Sequence, residues 1–483
     1  MTALETIRGF QSRFANNDLA RETQLASRQP KRIALWAALA SSEATGDGGL
    51  RKMKLMNVAI LVVSLAAQSE LSLPALAQTA LARPEDVGLS SSKLALIHAA
   101  VKIEIEAGQI PGAIVLVARD GKVVYCEAQG ATDPPSQEPI RTDNVFGAAD
   151  LTKAVVSVAA MMLVEDGKLN LDDPVSKYIP EFGGSRQVRV LEPGSPPAPF
   201  RAIPGPGAAS KEWGEPQYEM VPAARPITLR MLLTHTSGIQ IYGVDNGFPR
   251  RDPADLLATF VPKMASLPLE FQPGSRWAYS NSMGIEVVAR IVEVASGMNL
   301  RQFLQQRLFG PLGMNDTDFG VKPGLTARAL PYAPELPLPI AGEVKGFSGS
   351  AGLWTTVGDY SRFAGMLANN GSFNGRQYLK PETVKLMASN QIGPLVMGGY
   401  PPMGMPAEGV KFGLGFLVVT IPDVAGTRLP VGSFGWDGGG TRRFWVVPQE
   451  HIVIVSMVPL IGPQAAPLQR TIEAIVMSSI IRQ

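Results

Sequence analysis

Two charged side chains stand three residues apart at the start of an apolar stretch, "ADLTKAVVSVAAMMLVEDG". Asp150 and Lys153 have the spacing that places both side chains on one face of a helix. A serine at the first position would be a nucleophile with a lysine beside it as base. An aspartate at that position forms an ion pair with the lysine instead. The spacing therefore indicates a reactive site, and the residue type puts its chemistry in question.

Two further stretches carry side chains suited to the same site. Tyr279 and Asn281 lie in "GSRWAYSNSMG", immediately before a predicted helix. Trp436-Asp437-Gly438 lies in "GSFGWDGGGTRRF", where the glycines allow a strand edge to approach a ligand closely. Each stretch is a weak signal alone, because Tyr-x-Asn occurs by chance in long sequences. Their order along the chain carries the prediction.

Predicted helices position the first two stretches. Residues 151–166 are apolar on all sides with small residues interspersed, which is typical of a buried helix, and Gly167 is a suitable end for it. A second helix is predicted over residues 281–297. A third follows Thr355-Thr356, with Asp359 in its first turn.

Strands are predicted near both ends of the chain. Residues 112–130 form two β-rich runs separated by Asp120-Gly121, a hairpin signal. Near the C-terminus, "FGLGFLVVT" and "TRRFWVVPQEHIVIVSMVP" are further strands, the latter with a turn at Pro448-Gln449. Residues 183–226 are rich in proline and glycine, and the stretch "LEPGSPPAPFRAIPGPG" (191–207) within them is predicted to be irregular. Strands enclosing a mainly helical middle predict one α/β unit with a helical subdomain.

The N-terminal part of the chain predicts export. A basic cluster at residues 51–54 precedes an apolar run over residues 55–67, and "ALA" at residues 75–77 is a small-x-small cleavage pattern. The run is too short to span a bilayer. An uncleaved anchor or a buried helix is the alternative. We expect a periplasmic or secreted protein with a misassigned or disordered segment 1–52, a signal peptide 53–77 and one domain over residues 78–483.

Composition excludes several classes of function. At 483 residues the chain can bury a large core, and its net charge of +2 without a long basic run argues against nucleic acid or an anionic membrane as partner. The three histidines (His98, His235, His451) have no metal-ligand spacing, so we expect neither metal nor cofactor. The lone Cys126 cannot form an intrachain disulfide and is interpreted as a small buried residue.

Longer stretches around these motifs resemble the serine β-lactamase-like superfamily, which includes class C β-lactamases, DD-peptidases and family VIII carboxylesterases. The resemblance covers roughly residue 84 to the C-terminus, and it implies that residues 78–483 form a β-lactamase-related domain. It implies a β-lactamase/DD-peptidase-like α/β fold, in which helices flank an antiparallel sheet and a mainly helical subdomain is attached. The stretches are "LTHTSGI" (233–239), "FQPGSRWAYSNSMG" (271–284), "PLGMNDTDFG" (311–320) and "GSAGLWTTVGDYSRFAGML" (349–367).

The resemblance also implies roles for individual residues. The family's nucleophilic serine falls on Asp150, its lysine on Lys153, its tyrosine on Tyr279 and its asparagine on Asn281. By the same analogy, the backbone N–H groups of residue 150 and Gly439 would form the oxyanion hole. The candidate catalytic residues are therefore Asp150, Lys153 and Tyr279.

The family's third motif falls on Trp436-Asp437-Gly438. Its tryptophan form is more similar to the esterase and peptidase branches than to dedicated β-lactamases. The flanking glycines favour Trp436 as a wall of the ligand site over a core residue. The candidate ligand-binding residues are Asn281, Trp436, Gly438 and Gly439.

Asp150 departs from the family pattern at the atom that becomes covalently bonded. A carboxylate attacking an ester would give a mixed anhydride, a high-energy intermediate, and its charge would leave Lys153 protonated and unable to act as base. We therefore expect the acyl-serine route to be lost. Asp150 as general base for water is one alternative, and an altered residue in this copy is another. Asp150 is also a suitable helix N-cap, worth about 1 kcal/mol.

Other candidate residues have simpler interpretations. Ser90 and Lys93 also satisfy Ser-x-x-Lys, but serine there is an ordinary helix cap. Thr152 is next to Lys153, yet two residues along a helix from position 150 it points elsewhere. His235 is interpreted as a packed loop residue rather than a catalytic base.

Two classes of function remain. The first is an exported hydrolase of a carboxylic ester or amide, with standard acyl-serine chemistry lost. The second is a non-catalytic binding or scaffold protein that keeps the site for a peptide, cell-wall fragment or acyl ligand. In both classes the partner is a small ester, amide or peptide, and no stable membrane span is expected after signal cleavage.

Overall fold

The computed structural model describes residues 81–133, 138–195, 217–240, 252, 254–280, 282–330, 338–398, 404–439, 441–460 and 462–482. The predicted signal peptide, the segment upstream of it and Asn281 lie outside the described residues. Among the described residues, no helix is both long and apolar enough to cross a membrane.

The α-helices and strands of the described residues follow one another from Ser91 to Ser478. The longer helices are α1 (Leu96–Glu106), α2 (Leu151–Glu165), α3 (Met283–Ser296), α4 (Val357–Ala368), α5 (Pro381–Met387) and α6 (Ala466–Ser478). Short helices span Ser91–Leu94, Leu229–Leu233, Leu257–Phe260, Leu300–Leu304, Gly310–Leu312 and Pro422–Ala425. The strands are β1 (Gly112–Arg119), β2 (Lys122–Gly130), β3 (Val145–Gly147), β4 (Gln187–Leu191), β5 (Tyr218–Pro222), β6 (Asp318–Phe319), β7 (Ala329–Leu330), β8 (Leu353–Thr355), β9 (Ser372–Phe373), β10 (Arg376–Gln377), β11 (Val410–Phe412), β12 (Leu417–Val419), β13 (Phe434–Gly438), β14 (Arg442–Val447) and β15 (Ile452–Met457).

The main sheet has seven strands in the order β11-β12-β13-β14-β15-β1-β2, and its neighbouring strands pair antiparallel. Strands β14 and β15 are buried along their whole length. Helix α4 packs against both strands, and Glu473 of α6 contacts Arg443 and Trp445 of β14. Burial on both faces explains why apolar residues occupy successive positions over Phe444–Val447 of β14 and Ile452–Val455 of β15 rather than alternating with polar ones. The predicted α/β arrangement, an antiparallel sheet flanked by helices, is confirmed.

The hairpin and the two helices predicted to position the motifs are present. Asp120 (φ 51°) and Gly121 (φ 74°) join β1 to β2 with two positive φ angles, as a type I′ turn requires. Helix α2 is buried from its first residue to Leu163, and small residues along it allow close packing against α3. Helix α3 ends at Gly297, which adopts the left-handed conformation (φ 72°).

The segment predicted to be irregular, residues 191–207, lies mostly outside the described residues. The strands that flank it, β4 and β5, pair antiparallel, and Val188 of β4 is fully buried. Two predictions about the periphery are wrong. The chain does not end in strands alone, since α6 follows them with its apolar residues at helical spacing, among them Leu468, Ile472 and Ile475. Cys126 is half-buried on the edge strand β2, and burial raises the pKa of its thiol to about 11.

Candidate functional site

A strained turn between β3 and α2 presents residue 150. Ala149 has a φ of 48°, a region that costs a non-glycine residue on the order of 1 kcal/mol. The turn is held from β8, where the Leu353 carbonyl accepts the Ala148 N–H at 2.7 Å. The first turn of α2 then places Asp150 and Lys153 side by side.

Three donors converge on the Asp150 carboxylate. Lys153 Nζ and the Tyr279 hydroxyl both donate to Oδ1, the latter at 2.7 Å. The Gly439 N–H donates to Oδ2 at 3.3 Å. The predicted convergence of the three motifs is therefore present for their described members.

The charge state of Asp150 follows from these contacts. Burial by itself would raise the pKa of this carboxyl, but the ammonium of Lys153 and the hydrogen bonds from Lys153, Tyr279 and Gly439 outweigh it and hold the pKa below its ordinary value. Asp150 is therefore an ionised carboxylate at neutral pH. Its side chain is 25% exposed, so solvent still reaches it.

The interpretation of Asp150 as a helix cap is wrong. Its backbone is in the right-handed helical region (φ −63°, ψ −13°), and among the described residues its side chain makes no capping hydrogen bond to α2. A capping residue has extended backbone angles, which aim its side chain back at the free N–H groups. At position 150 the carboxylate turns to Lys153, Tyr279 and Gly439 instead.

Lys153 is held from three sides. Its side chain is 3% exposed, and its Nζ donates to the Ser350 carbonyl at 3.0 Å in addition to Asp150. The ammonium also lies 5.6 Å from the centre of the Tyr279 ring, within the range of a cation–π contact. Lys153 is thus a buried cation whose counter-charge is Asp150.

The end of β13 approaches residue 150 as closely as a backbone can. A Cβ on Gly438 would lie 2.5 Å from the Ala148 carbonyl oxygen and 3.2 Å from the Asp150 nitrogen, so only glycine fits. The neighbour that Gly438 approaches is the Ala148–Asp150 turn, and the expected close approach of this strand to a ligand stays a prediction. The close approach brings the next N–H, that of Gly439, within hydrogen-bonding distance of Asp150.

Aromatic rings pack behind Tyr279. Trp436 is 1% exposed, and its ring centre lies 5.6 Å from that of Tyr279 and 5.2 Å from that of Phe412. His235 completes this group, 4.9 Å from Tyr279. These contacts fix the Tyr279 ring, while direct contact of Trp436 with a ligand stays a prediction.

His235 is a packed residue, as predicted. Its Nδ1 accepts the Ser280 N–H at 3.3 Å and lies 2.8 Å from the Ser280 hydroxyl. Burial, reinforced by the nearby charge of Lys153, lowers the pKa of the imidazole to about 3. A ring that is neutral and hydrogen-bonded in this way supports Tyr279 rather than acting as a base.

The sequence analysis missed Glu286, a buried carboxylate on α3. It accepts hydrogen bonds from the Ser348 hydroxyl, from the Gly349 N–H at 3.1 Å and from the Ser350 hydroxyl at 2.7 Å. Because the Ser350 carbonyl accepts from Lys153, Glu286 fixes the loop that holds the lysine. An acid on the apolar face of a predicted helix was the available signal.

The alternative hydroxyl groups have structural partners. Ser90 caps the helical turn Ser91–Leu94 by accepting the Lys93 N–H, as predicted. Thr152 is fully buried, and its Oγ1 accepts the Leu353 N–H at 3.2 Å. In the part of the chain that the structure describes, no cluster of His, Cys, Asp and Glu is arranged to hold a metal ion.

Known proteins with similar sequences or folds include several esterases. The Penicillium rubens lovastatin esterase is 29% identical over 405 residues, covering 76% of this chain and 94% of that protein. Esterase EstB of Burkholderia gladioli is 29% identical over 398 residues, covering 74% of this chain and 88% of that protein. The solved structure of EstCE1, a hydrolase with promiscuous acyltransferase activity, matches with a TM-score of 0.61 at 23% identity, covering 80% of this chain and 99% of that one.

The EstCE1 match confirms the predicted β-lactamase-like fold, an antiparallel sheet of seven strands with flanking helices. The Beta-lactamase family model matches residues 95–471, which include α2, α3 and the third-motif strand β13. The chain therefore belongs to the β-lactamase family, with relatives that include esterases.

Proposed function

We propose that this protein keeps the ligand site of a β-lactamase-family esterase, with Asp150 in the nucleophile position, and that it does not perform acyl-serine chemistry. Its ligand is a carboxylic ester or amide, or an acyl compound of similar shape. The esterases among its relatives support this ligand class. Tyr279, Gly439 and Lys153 support the assignment of the site, because they surround residue 150.

One observation carries the proposal: the Asp150 carboxylate accepts all three donors of the site. In an acyl-serine mechanism, Lys153 and Tyr279 would take a proton from a hydroxyl, and the Gly439 N–H would hold the carbonyl oxygen. Here Lys153 is paired with the Asp150 carboxylate, and one oxygen of that carboxylate accepts the Gly439 N–H. The groups that would activate a nucleophile are committed to Asp150 itself.

Asp150 is a poor replacement for the serine. Attack by its carboxylate on an ester would form a mixed anhydride, which is as reactive as the substrate or more so. Its lowered pKa also makes it a weak base, because base strength follows pKa. The native protein is therefore best described as a ligand-binding member of an esterase-containing family.

A second candidate function is slow hydrolysis with Asp150 as general base for water. It is favoured by the 25% exposure of the Asp150 side chain, which allows a water molecule to reach the carboxylate. In this mechanism Asp150 takes a proton from water, and the hydroxide attacks the ester carbonyl directly without a covalent intermediate.

We also propose that the protein is exported to the periplasm or secreted. Support comes from the signal-peptide pattern over residues 53–77. Protein recovered from the envelope or medium should begin near Gln78 on N-terminal sequencing. Intact protein starting at Met1 in the cytosol would contradict export.

The experiment on function compares the native protein with Asp150→Ser and Asp150→Asn. Each is assayed with p-nitrophenyl acetate, p-nitrophenyl butyrate and a chromogenic cephalosporin, and treated with a fluorophosphonate probe followed by mass spectrometry. We expect no turnover and no adduct for the native protein and for Asp150→Asn. Asp150→Ser should gain ester hydrolysis and a probe adduct at residue 150, with little cephalosporin turnover, because Tyr279 and the Gly439 N–H are already in place.

The other outcomes separate the candidates. Native ester hydrolysis that Asp150→Asn abolishes would establish the general-base mechanism. Folded native and Asp150→Ser proteins that are both inactive would leave binding as the function. A fluorophosphonate adduct on the native protein would contradict the proposal, because it would reveal a nucleophile elsewhere.

A further inference from the structure

A chain of buried charges runs from the third motif to the C-terminal helix. Asp437 on β13 faces its cross-strand partner Arg443 on β14, with Oδ2 and Nη2 3.6 Å apart. Arg443 Nη1 lies 3.3 Å from Oε1 of Glu473 on α6. All three side chains are at most 4% exposed. We call Asp437, Arg443 and Glu473 the buried ion chain.

Hydrogen bonds fix Glu473, the α6 end of the buried ion chain. The Trp445 indole N–H donates to Glu473 Oε1 at 2.8 Å, and the Thr427 hydroxyl donates to Oε2 at 3.2 Å. Glu473 therefore joins α6, β14 and the segment after the helix Pro422–Ala425 at one point. Such a carboxylate is not free to follow a local movement of β13, so it serves as a fixed anchor.

The Asp437 end of the buried ion chain lies next to the candidate site. Asp437 is followed by Gly438, which contacts the Ala148–Asp150 turn, and by Gly439, which donates to Asp150. Burial raises the pKa of Asp437 to about 6; Arg443 opposes this effect and the charge of Asp150 adds to it. Asp437 is thus close enough to Asp150 for the two carboxylates to interact.

Buried charges are costly, and three apolar residues would often stabilise a fold as well. The contacts of the buried ion chain are directional, however, because an arginine held between two acids fixes the positions of both acids. The backbone at Gly438 and Gly439 has no side chain of its own to anchor it. The neighbouring Asp437 is the nearest side chain on β13 that can do so.

We propose that Arg443 and Glu473 are positioning residues of the candidate site, which hold the end of β13 so that the Gly439 N–H faces residue 150. The C-terminal helix is then part of the site's supporting structure, although it contributes no group that touches a ligand. The proposal rests on the proposed function only in treating the Gly439 N–H as part of a ligand site.

The test is amide hydrogen exchange measured by mass spectrometry on the native protein, Arg443→Met and Glu473→Gln. Arg443→Met leaves both acids without a counter-charge, whereas Glu473→Gln keeps the shape and removes one charge. We expect peptides covering residues 434–439 to exchange at least tenfold faster in Arg443→Met and at least threefold faster in Glu473→Gln. Peptides from α3 should be unchanged.

A matched control removes a buried ion pair elsewhere. Glu270 pairs with Arg189 and is 4% exposed, so Glu270→Gln makes the same chemical change away from the buried ion chain. We expect it to leave residues 434–439 unchanged. Faster exchange throughout the protein in both test variants, an equal effect of Glu270→Gln, or no change at residues 434–439 in Glu473→Gln would overturn the proposal.

The exchange experiment needs no ligand, so its result is independent of the enzyme assays. A local effect at residues 434–439 together with a folded but inactive Asp150→Ser protein would mean that the buried ion chain positions the strand in a protein whose function is binding without hydrolysis. An unchanged strand together with an active Asp150→Ser protein would leave the proposed function standing without this positioning role.

Discussion

The buried ammonium of Lys153 explains why a carboxylate is stable at position 150. With a side chain only 3% exposed, Lys153 needs a counter-charge, since an unpaired buried charge costs several kcal/mol. Asp150 supplies it and gains hydrogen bonds from Tyr279 and Gly439 in return. At the scale of single residues, Asp150 and Lys153 stabilise each other as an ion pair. The groups that stabilise this pair, Lys153, Tyr279 and the Gly439 N–H, are the same groups that acyl-serine chemistry would require.

The first prediction follows from this ion pair. Asp150→Ser should lower the free energy of unfolding at pH 7 by about 3 kcal/mol, because Lys153 is left buried without its partner. The folded-state pKa of Asp150 lies below its unfolded value, which is about 4. The contribution of Asp150 is therefore present above pH 4 and is lost as the pH falls through the folded-state pKa.

Urea unfolding of both proteins at pH 7 and at pH 3 checks this prediction. The difference in free energy of unfolding should be largest at pH 7 and smaller at pH 3. Equal stability of the two proteins at pH 7 would show that the ion pair contributes nothing net.

At the scale of elements, the site depends on helices that contribute no group to it directly. Helix α3 carries Glu286, which binds the loop over residues 348–350 through several hydrogen bonds. That loop supplies the carbonyl of Ser350 to Lys153. The position of the lysine on α2 is thus set partly by an acid on another helix.

The second prediction concerns this acid. Glu286→Gln should lower the free energy of unfolding by about 2 kcal/mol, because the NH2 group of the glutamine side chain cannot accept the hydrogen bonds that a carboxylate oxygen accepts. In the Asp150→Ser background it should also reduce any gained esterase rate, since Lys153 loses its fixed position. Chemical unfolding and the p-nitrophenyl acetate assay measure the two effects.

Glu293→Gln is the control for this prediction. Glu293 lies on the same helix, pairs with Arg290 at 3.0 Å and accepts the Leu300 N–H at 3.1 Å, away from the loop over residues 348–350. It should leave the esterase rate of Asp150→Ser unchanged. An equal loss of rate in both variants would mean that the helix, and not its contact with the loop, matters.

At the scale of the whole molecule, buried titratable groups give the protein opposing responses to acid. His235 has a folded-state pKa of about 3 and an unfolded value of about 6.5, so between those values the unfolded chain binds more protons and acid destabilises the fold. Burial raises the pKa of Asp359 and of Asp437 to about 6. Between pH 4 and 6 these two acids act in the opposite direction, because the folded protein binds the extra protons.

The third prediction isolates the histidine. His235→Asn keeps an acceptor for the Ser280 N–H and tolerates the positive φ of 55° at this position. The variant should be less stable at pH 7, because the ring leaves a cavity, but its loss of stability between pH 6.5 and pH 4 should be smaller than that of the native protein. Thermal unfolding over this pH range measures the slopes. Identical slopes would show that His235 is not the group that makes the protein sensitive to acid.

Local chemistry in the sequence determined much of this molecule. Asp120-Gly121 predicts the hairpin turn because both residues tolerate positive φ, and the apolar, small-residue pattern after Asp150 predicts a buried helix. The three motifs were recognisable from residue types at short spacing. Each of these signals lies within a few consecutive residues, where covalent geometry and apolar periodicity act directly.

The tertiary structure decided what distant groups do to one another. Asp150 has the residue type of a helix cap, yet donors from Tyr279 and Gly439, brought together by α3 and β13, draw its carboxylate away from the helix. Glu286 and Glu473 acquire roles only through partners far along the chain. The physical reason is that a polar side chain takes the partners that the packed fold brings within about 3 Å, and residue type alone does not specify them.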